Sequence, residues 1–317
     1  MGLIEQVTAG NARAVGRVMS LLEDGSEEAP ALLRGMAPHL GRAHLVGFTG
    51  PPGAGKSTLI AALALAARSA GRTVGIVAAD PSSAFTGGAL LGDRIRMRAL
   101  FEDPHVFIRS MATREHPGCL PPAARDVCRV LDAMGKDLVF LETVGTGQSD
   151  IAVVRYADTV VLVLSPATGD YIQAMKAGSM EVADLIVVNK ADLPGSEQAA
   201  SDLGRFLHAR DVGAGVNRDA DRWEVPVVRT CPGGDGAGVE ELQERIDAHL
   251  AHAVDTGGLA DRRRRRLRYE IADYCTDRVT ARLLAADRLD DLVTAVEDGR
   301  LTAREAGHTL TDELLGS

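Results

Sequence analysis

Short apolar runs alternate with helical stripes along most of the chain. Runs rich in Val, Ile and Leu lie at residues 45–48, 73–78, 138–141, 159–164, 185–188 and 225–228. They lack the strict apolar–polar alternation of a half-exposed strand, so they read as central strands covered on both faces. Amphipathic stretches fall between or after them at 57–70, closed by Gly71, at 123–134 and at 239–253. Strand–helix alternation of this kind predicts an α/β fold whose central sheet is mostly parallel and flanked by helices. Residues 1–40 carry a helical stripe through Leu3, Val7, Ala14, Val18 and Leu21, broken by a polar turn at 23–28. Past a hinge at 255–258 only helical patterns remain, at 262–286, 289–298 and 302–315. The expected organisation is an N-terminal helical segment at 1–40, an α/β domain at 41–253 and a helical arm at 254–317. The arm is too small for a core of its own, so it is expected to dock on the α/β domain or to mediate homodimerisation.

Composition changes this picture only at the margins. With 317 residues, 45% hydrophobic and 25% charged, the chain is an ordinary globular protein. A net charge of −9 argues against nucleic acid or an anionic membrane as partner. Four scattered cysteines, no metal-ligand spacing among them and no apolar leader at the start suggest a reducing, cytoplasmic setting. An organelle matrix would fit equally if an import sequence had been removed. Basic residues are nearly all arginine, and the lysines are Lys56, Lys136, Lys176 and Lys190. The run Arg262–Arg266 reads as a solvated or interface face of an amphipathic helix.

The chemistry begins after the first strand. Gly50, Pro51, Pro52, Gly53, Ala54, Gly55, Lys56, Ser57 and Thr58 match the P-loop pattern between a strand and a helix. Glycines let the backbone curl so that successive N–H groups point at phosphate oxygens. A helix terminus alone contributes only about 0.3–1 kcal/mol per charge. A triphosphate needs more, which Lys56 and a Mg²⁺ held by Ser57 supply.

The run 184–192 is an apolar strand ending in Asn189-Lys190-Ala191-Asp192. The Asp192 carboxylate, expected to be buried, can accept from the ring N–H and the exocyclic amine of guanine, donors that adenine does not place there. Sites of this type discriminate by about 10⁴–10⁵ in favourable cases. The stem of Lys190 can lie over the base, and Asn189 serves best as a tie between loops. A third base-side loop is expected from Arg229, Thr230, Cys231 and Pro232.

Two further polar segments follow strands. Residues 80–94 include Asp80 and Asp93, and residues 142–150 include Glu142, Gly145, Gly147 and Gln148. Their acidic groups can reach Mg²⁺ directly or through its waters, although turn or helix capping explains Asp80 and Asp93 equally well. Gly145 or Gly147 can offer an N–H to a γ-phosphate. Gln148 has the wrong spacing for a water-positioning glutamine and reads as structural.

With these segments added, the chain resembles the MeaB/ArgK/MMAA family of GTPases, within the SIMIBI class of P-loop proteins. The likeness rests on the P-loop, on 80–98, 109–114, 142–149, 169–176 and 180–192, and on the two-helix cadence from Asp298. It implies a P-loop NTPase fold, GTP and GDP as ligands, Mg²⁺ as cofactor, and slow hydrolysis stimulated by a partner. That partner would be an adenosylcobalamin-dependent acyl-CoA mutase, whose cofactor loading the GTPase gates. Matched positions would place Ser57, Asp80, Asp93 and Glu142 around the metal. Catalytic roles would fall to Lys56, Asp93 and Glu142, and to Asp170 and Lys176 in a segment that responds to the mutase. Ala84, Glu115 and Thr146 depart from the usual proline, glycine and aliphatic residue, and Glu115 makes the loop at 112–120 the least secure. Nickel-delivering GTPases and transport-associated ATPases or kinases share parts of the pattern. The first normally carry His-rich or Cys/His clusters, and 189–192 argues against ATP.

Overall fold

The computed structural model describes the whole chain except residues 1, 81–96, 98–99, 113–122, 144–152, 154, 167–178, 214–221, 286–287 and 316–317. Three helices open it: α1 (Leu3–Thr8), α2 (Ala12–Glu23) and α3 (Ala29–Met36). Asn11 caps α2, its side-chain oxygen accepting from Arg13 and Ala14 N–H. Then come β1 (His44–Thr49), α4 (Lys56–Ser69), β2 (Val74–Asp80), β3 (Val106–Ala112), α5 (Ala124–Ala133) and β4 (Leu138–Glu142). The order continues with β5 (Thr159–Leu164), β6 (Leu185–Asn189), α6 (Ser196–Gly213), β7 (Val227–Thr230) and α7 (Val239–Asp255). Three helices end it: α8 (Gly258–Leu284), α9 (Arg288–Glu297) and α10 (Ala303–Leu315).

The seven described strands form one sheet in the order β3-β2-β4-β1-β5-β6-β7, and every pair is parallel. The expected α/β architecture is therefore present. Side chains alternate between its faces as the pleat demands. Val46, Phe48, Leu138, Phe140, Val161, Val163 and Val187 pack on one side with α4 and α7. Phe48 and Phe140 meet edge to face, their centroids 5.5 Å apart. On the other face, Val77, Val139 and Leu141 pack with α1–α3 and α5, and Leu162, Leu164, Ile186 and Val188 with α6. Both faces are covered, which explains the uninterrupted apolar runs.

Two strand expectations need correction. The strand expected at 225–228 runs Val227–Thr230 instead. Pro226 cannot donate to a ladder; its carbonyl accepts from Ile186 N–H just before the strand starts. Strand β3 is absent from the sequence-based expectations. It lies at the sheet edge, pairs only with β2, and is mostly half-buried, so polar Arg109 and Ser110 interrupt its apolar pattern. Arg109 forms a two-pronged ion pair with Glu23 of α2, at 2.7 and 2.8 Å, tying the N-terminal helices to that edge.

The chain divides into two compact units, Met1–Ala260 and Asp261–Ser317. Within the second, Leu292, Ala306 and Leu310 form a small core with Leu283, Leu289, Val296 and Leu301. A capping box opens α10: Thr302 N–H donates to the Glu305 carboxylate, and Glu305 N–H to the Thr302 hydroxyl. Among the described residues no helix is long and apolar enough to cross a membrane.

At the N-terminal ends of the strands lies a buried polar chain. His44 Nε2 and His249 Nδ1 each sit 2.7 Å from the Thr159 hydroxyl, and His249 Nε2 is 3.2 Å from Asp184 Oδ1. One proton arrangement satisfies it: His44 Nε2–H donates to Thr159, Thr159 to His249, and His249 Nε2–H to Asp184. The scheme leaves His44 Nδ1 buried without a hydrogen-bond partner. Protonation there is opposed mainly by burial, against the pull of Asp158 and Asp247, and holds His44 down at about 4 from 6.5. The folded-state value is depressed, so stability is full above the unfolded value and is lost as pH falls from about 6.5 towards 4. Between neutrality and about pH 5 the loss amounts to about 2 kcal/mol. Urea unfolding at the two pH values should show this loss in wild type and not in His44→Gln. Equal losses in both proteins would rule out His44 as the source.

Candidate functional site: a phosphate loop joined to a base pocket

Three loops meet at the C-terminal edge of the sheet, following β1, β6 and β7. In an open parallel sheet this is the edge where ligands bind. Residues 50–55 leave β1 and lead into α4, whose first residue is Lys56. The turn demands glycine at two places. Gly50 has φ 134°, and a Cβ there would lie 2.0 Å from Val163 O of β5; Gly55 has φ 91°, and a Cβ would lie 2.4 Å from Asn189 Nδ2.

Lys56 is buried and curls back over its own loop, donating to Gly50 O at 2.7 Å and Pro51 O at 3.2 Å. Its ammonium thus sits above the N-terminal turn of α4, where an anion would be received. The Ser57 hydroxyl donates to Glu142 Oε1 at 2.7 Å, bringing the end of β4 against the start of α4. An all-oxygen pair of one hydroxyl and one carboxylate beside a phosphate cradle fits the taste of Mg²⁺, which takes few protein ligands and completes its shell with water and phosphate. Asp80 ends β2, the strand beside β4. Asp93, Asp170 and Lys176, with Gly145, Gly147, Gln148, Ala84, Glu115 and Thr146, lie outside the described residues.

The second loop leaves β6 through a forced turn. Lys190 has φ 59°, the only positive value at a non-glycine among the described residues. A lysine held in the left-handed region stores strain, which persists where the surroundings fix it. Here they do: Ala191 N–H donates to Thr230 O, Leu193 N–H to Lys190 O, and the Ser196 hydroxyl to Ala191 O. The turn sends Lys190 Nζ to Gly53 O at 2.8 Å, so its stem crosses between the phosphate loop and Asp192. Buried Asn189 makes the tie expected of it: Nδ2 donates to Ala54 O at 2.8 Å, and Oδ1 accepts from the Thr230 hydroxyl at 3.0 Å.

The third loop follows β7. Cys231 N–H donates to Ala237 O, and Cys231 O accepts from Gly234 and Gly236 N–H, so the loop curls round the cysteine. Cys231 Sγ lies 3.2 Å from Asp192 Oδ1. Gly55, Thr58, Lys190, Asp192, Cys231 and Pro232 are among the residues lining a cavity of about 600 Å³. Its far wall holds Gly233, Gly234 and Asp235, which the sequence pattern did not single out beyond its richness in glycine. Asp192 itself is exposed in the open cavity, not buried as expected, so a bound base would have to cover it.

A phosphate loop at one end and a carboxylate-bearing pocket at the other is the layout of a nucleotide site. A family model for the methylmalonyl-CoA mutase-associated GTPase MeaB matches residues 11–288. The chain belongs to the MeaB family. Among its MeaB-like relatives, a chain named as a GTPase in Pyrococcus horikoshii is 42% identical over 99% of this chain and 98% of that one. The Escherichia coli GTPase ArgK is 35% identical over 77% of this chain and 73% of its own. A crystal structure titled LAO/AO transport system kinase superposes with a TM-score of 0.70 at 26% identity, covering 99% of this chain and 96% of that one. The resemblance drawn from the motifs therefore holds, and with it the P-loop fold. The family match includes all three loops of the site and stops before most of α9 and all of α10.

Proposed function

We propose that this chain binds and hydrolyses GTP, and that it does so as a chaperone of an adenosylcobalamin-dependent acyl-CoA mutase. The observation that carries the nucleotide half is the pocket: Asp192 stands over the cavity that opens from Gly55 and Thr58, at the end of the same loop that Asn189 clamps to the phosphate cradle. The mutase half rests on membership of a family named for that association.

On this reading Lys56 exchanges its contacts with Gly50 O and Pro51 O for the β- and γ-phosphate oxygens. Asp192 takes the ring N–H and exocyclic amine of guanine, while Lys190 and Pro232 flank the base. Ser57, Asp80, Asp93 and Glu142 are the proposed holders of Mg²⁺, which when bound neutralises charge developing on the transferred phosphoryl group. Water forms a bond to the γ-phosphorus, the bond to the β–γ bridging oxygen breaks, and GDP and inorganic phosphate leave. Asp170 and Lys176 complete the site only when the mutase docks. A compact ammonium at 176 in an arginine-rich chain suits close approach to phosphate.

The helical arm is the proposed homodimer contact. Leu267, Ile271 and Tyr274 on α8 are all exposed apolar side chains at helical spacing.

One experiment tests the whole reading. Purified chain should hydrolyse GTP slowly, turn over faster by at least about 10-fold with an acyl-CoA mutase, and behave as a dimer in light scattering. Trans-acting groups reach about 10³–10⁵ in other GTPases, so this is a low threshold. Lys176→Ala should remove most of the increment. No stimulation by methylmalonyl-CoA mutase or its relatives would refute the chaperone role, and a monomer would refute the arm's role.

A further inference from the structure

The base pocket contains a donor that the reading above does not use. Asp192 is exposed, on a loop, and its carboxylate could rotate; the hydrogen bond to its Oδ1 comes from Cys231 Sγ at 3.2 Å. The thiol is as fixed as the carboxylate is free. Cys231 is 7% exposed, follows the last residue of β7, and has its backbone held by three hydrogen bonds within its own loop. Room for the sulfur depends on Gly234, where a Cβ would lie 2.7 Å from Sγ.

We propose that Cys231 is a positioning residue for base selection: its S–H donates to Asp192 Oδ1 and holds the carboxylate in the orientation that receives guanine. This rests on the guanine reading of the pocket and deepens it. A carboxylate oxygen has two lone-pair directions, so Oδ1 can accept from the thiol and still accept from a base N–H, leaving Oδ2 for the second base donor. The acceptor also keeps the donor protonated. Hydrogen bonding to Asp192, with burial second, pushes the Cys231 thiol up from its ordinary range, so at neutral pH it is S–H and not thiolate. A thiolate there would repel the carboxylate and could not donate. Serine would offer the same donor at a shorter distance, whereas valine would match the volume and offer none.

The test uses full-length Cys231→Val, Cys231→Ala and Cys231→Ser, with GTP and inosine triphosphate, which lacks the exocyclic amine. One neutral-strength hydrogen bond corresponds to about 2- to 13-fold in affinity. Cys231→Val and Cys231→Ala should therefore lose about 5-fold in GTP affinity, with the loss in KM and not in kcat. The loss for inosine triphosphate should be smaller, so the ratio between the two nucleotides narrows. Cys231→Ser should restore both the affinity and the ratio. Unchanged GTP affinity in the valine variant would overturn the proposal, as would a serine variant no better than valine. Thermal melting separates misfolding from loss of positioning, and the valine and serine variants decide if alanine fails to fold. A wild-type chain that binds ATP as well as GTP would instead overturn the guanine reading itself.

Discussion

Lys56→Ala is expected to lower GTP affinity by at least about 10²-fold while leaving the thermal unfolding temperature close to that of the wild type. The ammonium makes two contacts with its own loop, to Gly50 O and Pro51 O, and on binding trades them for contacts to a multiply charged phosphate. Hydrogen bonds to charged groups contribute about 1.5–3 kcal/mol each, so losing two removes about 3–6 kcal/mol, or 10²–10⁴ in Kd. Stability should change little. The loop's geometry is held by the Asn189 clamp and by packing of Ala54 in the core, neither of which uses the lysine. Titration calorimetry with GTP and Mg²⁺ measures the affinity, and equal values for mutant and wild type would remove the P-loop from the argument.

Asp192→Asn should exchange base preference, weakening GTP and strengthening xanthosine triphosphate so that their ratio shifts by about 10²-fold or more. The direction follows from donors and acceptors. With Oδ1 held towards Cys231, the substituted amide would present its nitrogen where the aspartate presents its second oxygen. An amide N–H₂ there opposes the exocyclic amine of guanine and matches the carbonyl at the same position of xanthine. Hydrolysis rates with both nucleotides read the switch directly. An unchanged GTP-to-XTP ratio would show that Asp192 does not touch the base.

Much of this site is legible in sequence because its parts are contiguous. Residues 50–58 and 189–192 each sit at the end of an apolar run, and a strand followed by such a motif places it at the C-terminal edge of a parallel sheet without further information. What cannot be read depends on contacts between distant segments. Cys231 and Asp192 stand 39 positions apart, and nothing local to either names the other. His44, Thr159, Asp184 and His249 come from four separate segments and meet only because β1, β5 and β6 run parallel. Strand β3 escapes for a different reason. An edge strand needs an apolar pattern only where it meets its neighbours, and Arg109 commits its side chain to Glu23 of α2. The burial expected of Asp192 fails because its enclosure would come from the ligand itself, which no pattern in the chain can represent.

Asn189 carries one last consequence. With Nδ2 on Ala54 O and Oδ1 on the Thr230 hydroxyl, it pins the phosphate loop and the base loop to a common strand end, so the distance between them is a property of the fold. On the proposed reading the nucleotide is a bivalent ligand, with base and phosphates as its two heads and the ribose as a short linker of matching length. For such a receptor the second contact forms at high effective concentration once the first is made, and a linker that cannot span the fixed gap forfeits the gain. A free base or a free polyphosphate engages one head alone. The clamp makes the site a gauge of molecular length as well as a reader of chemistry.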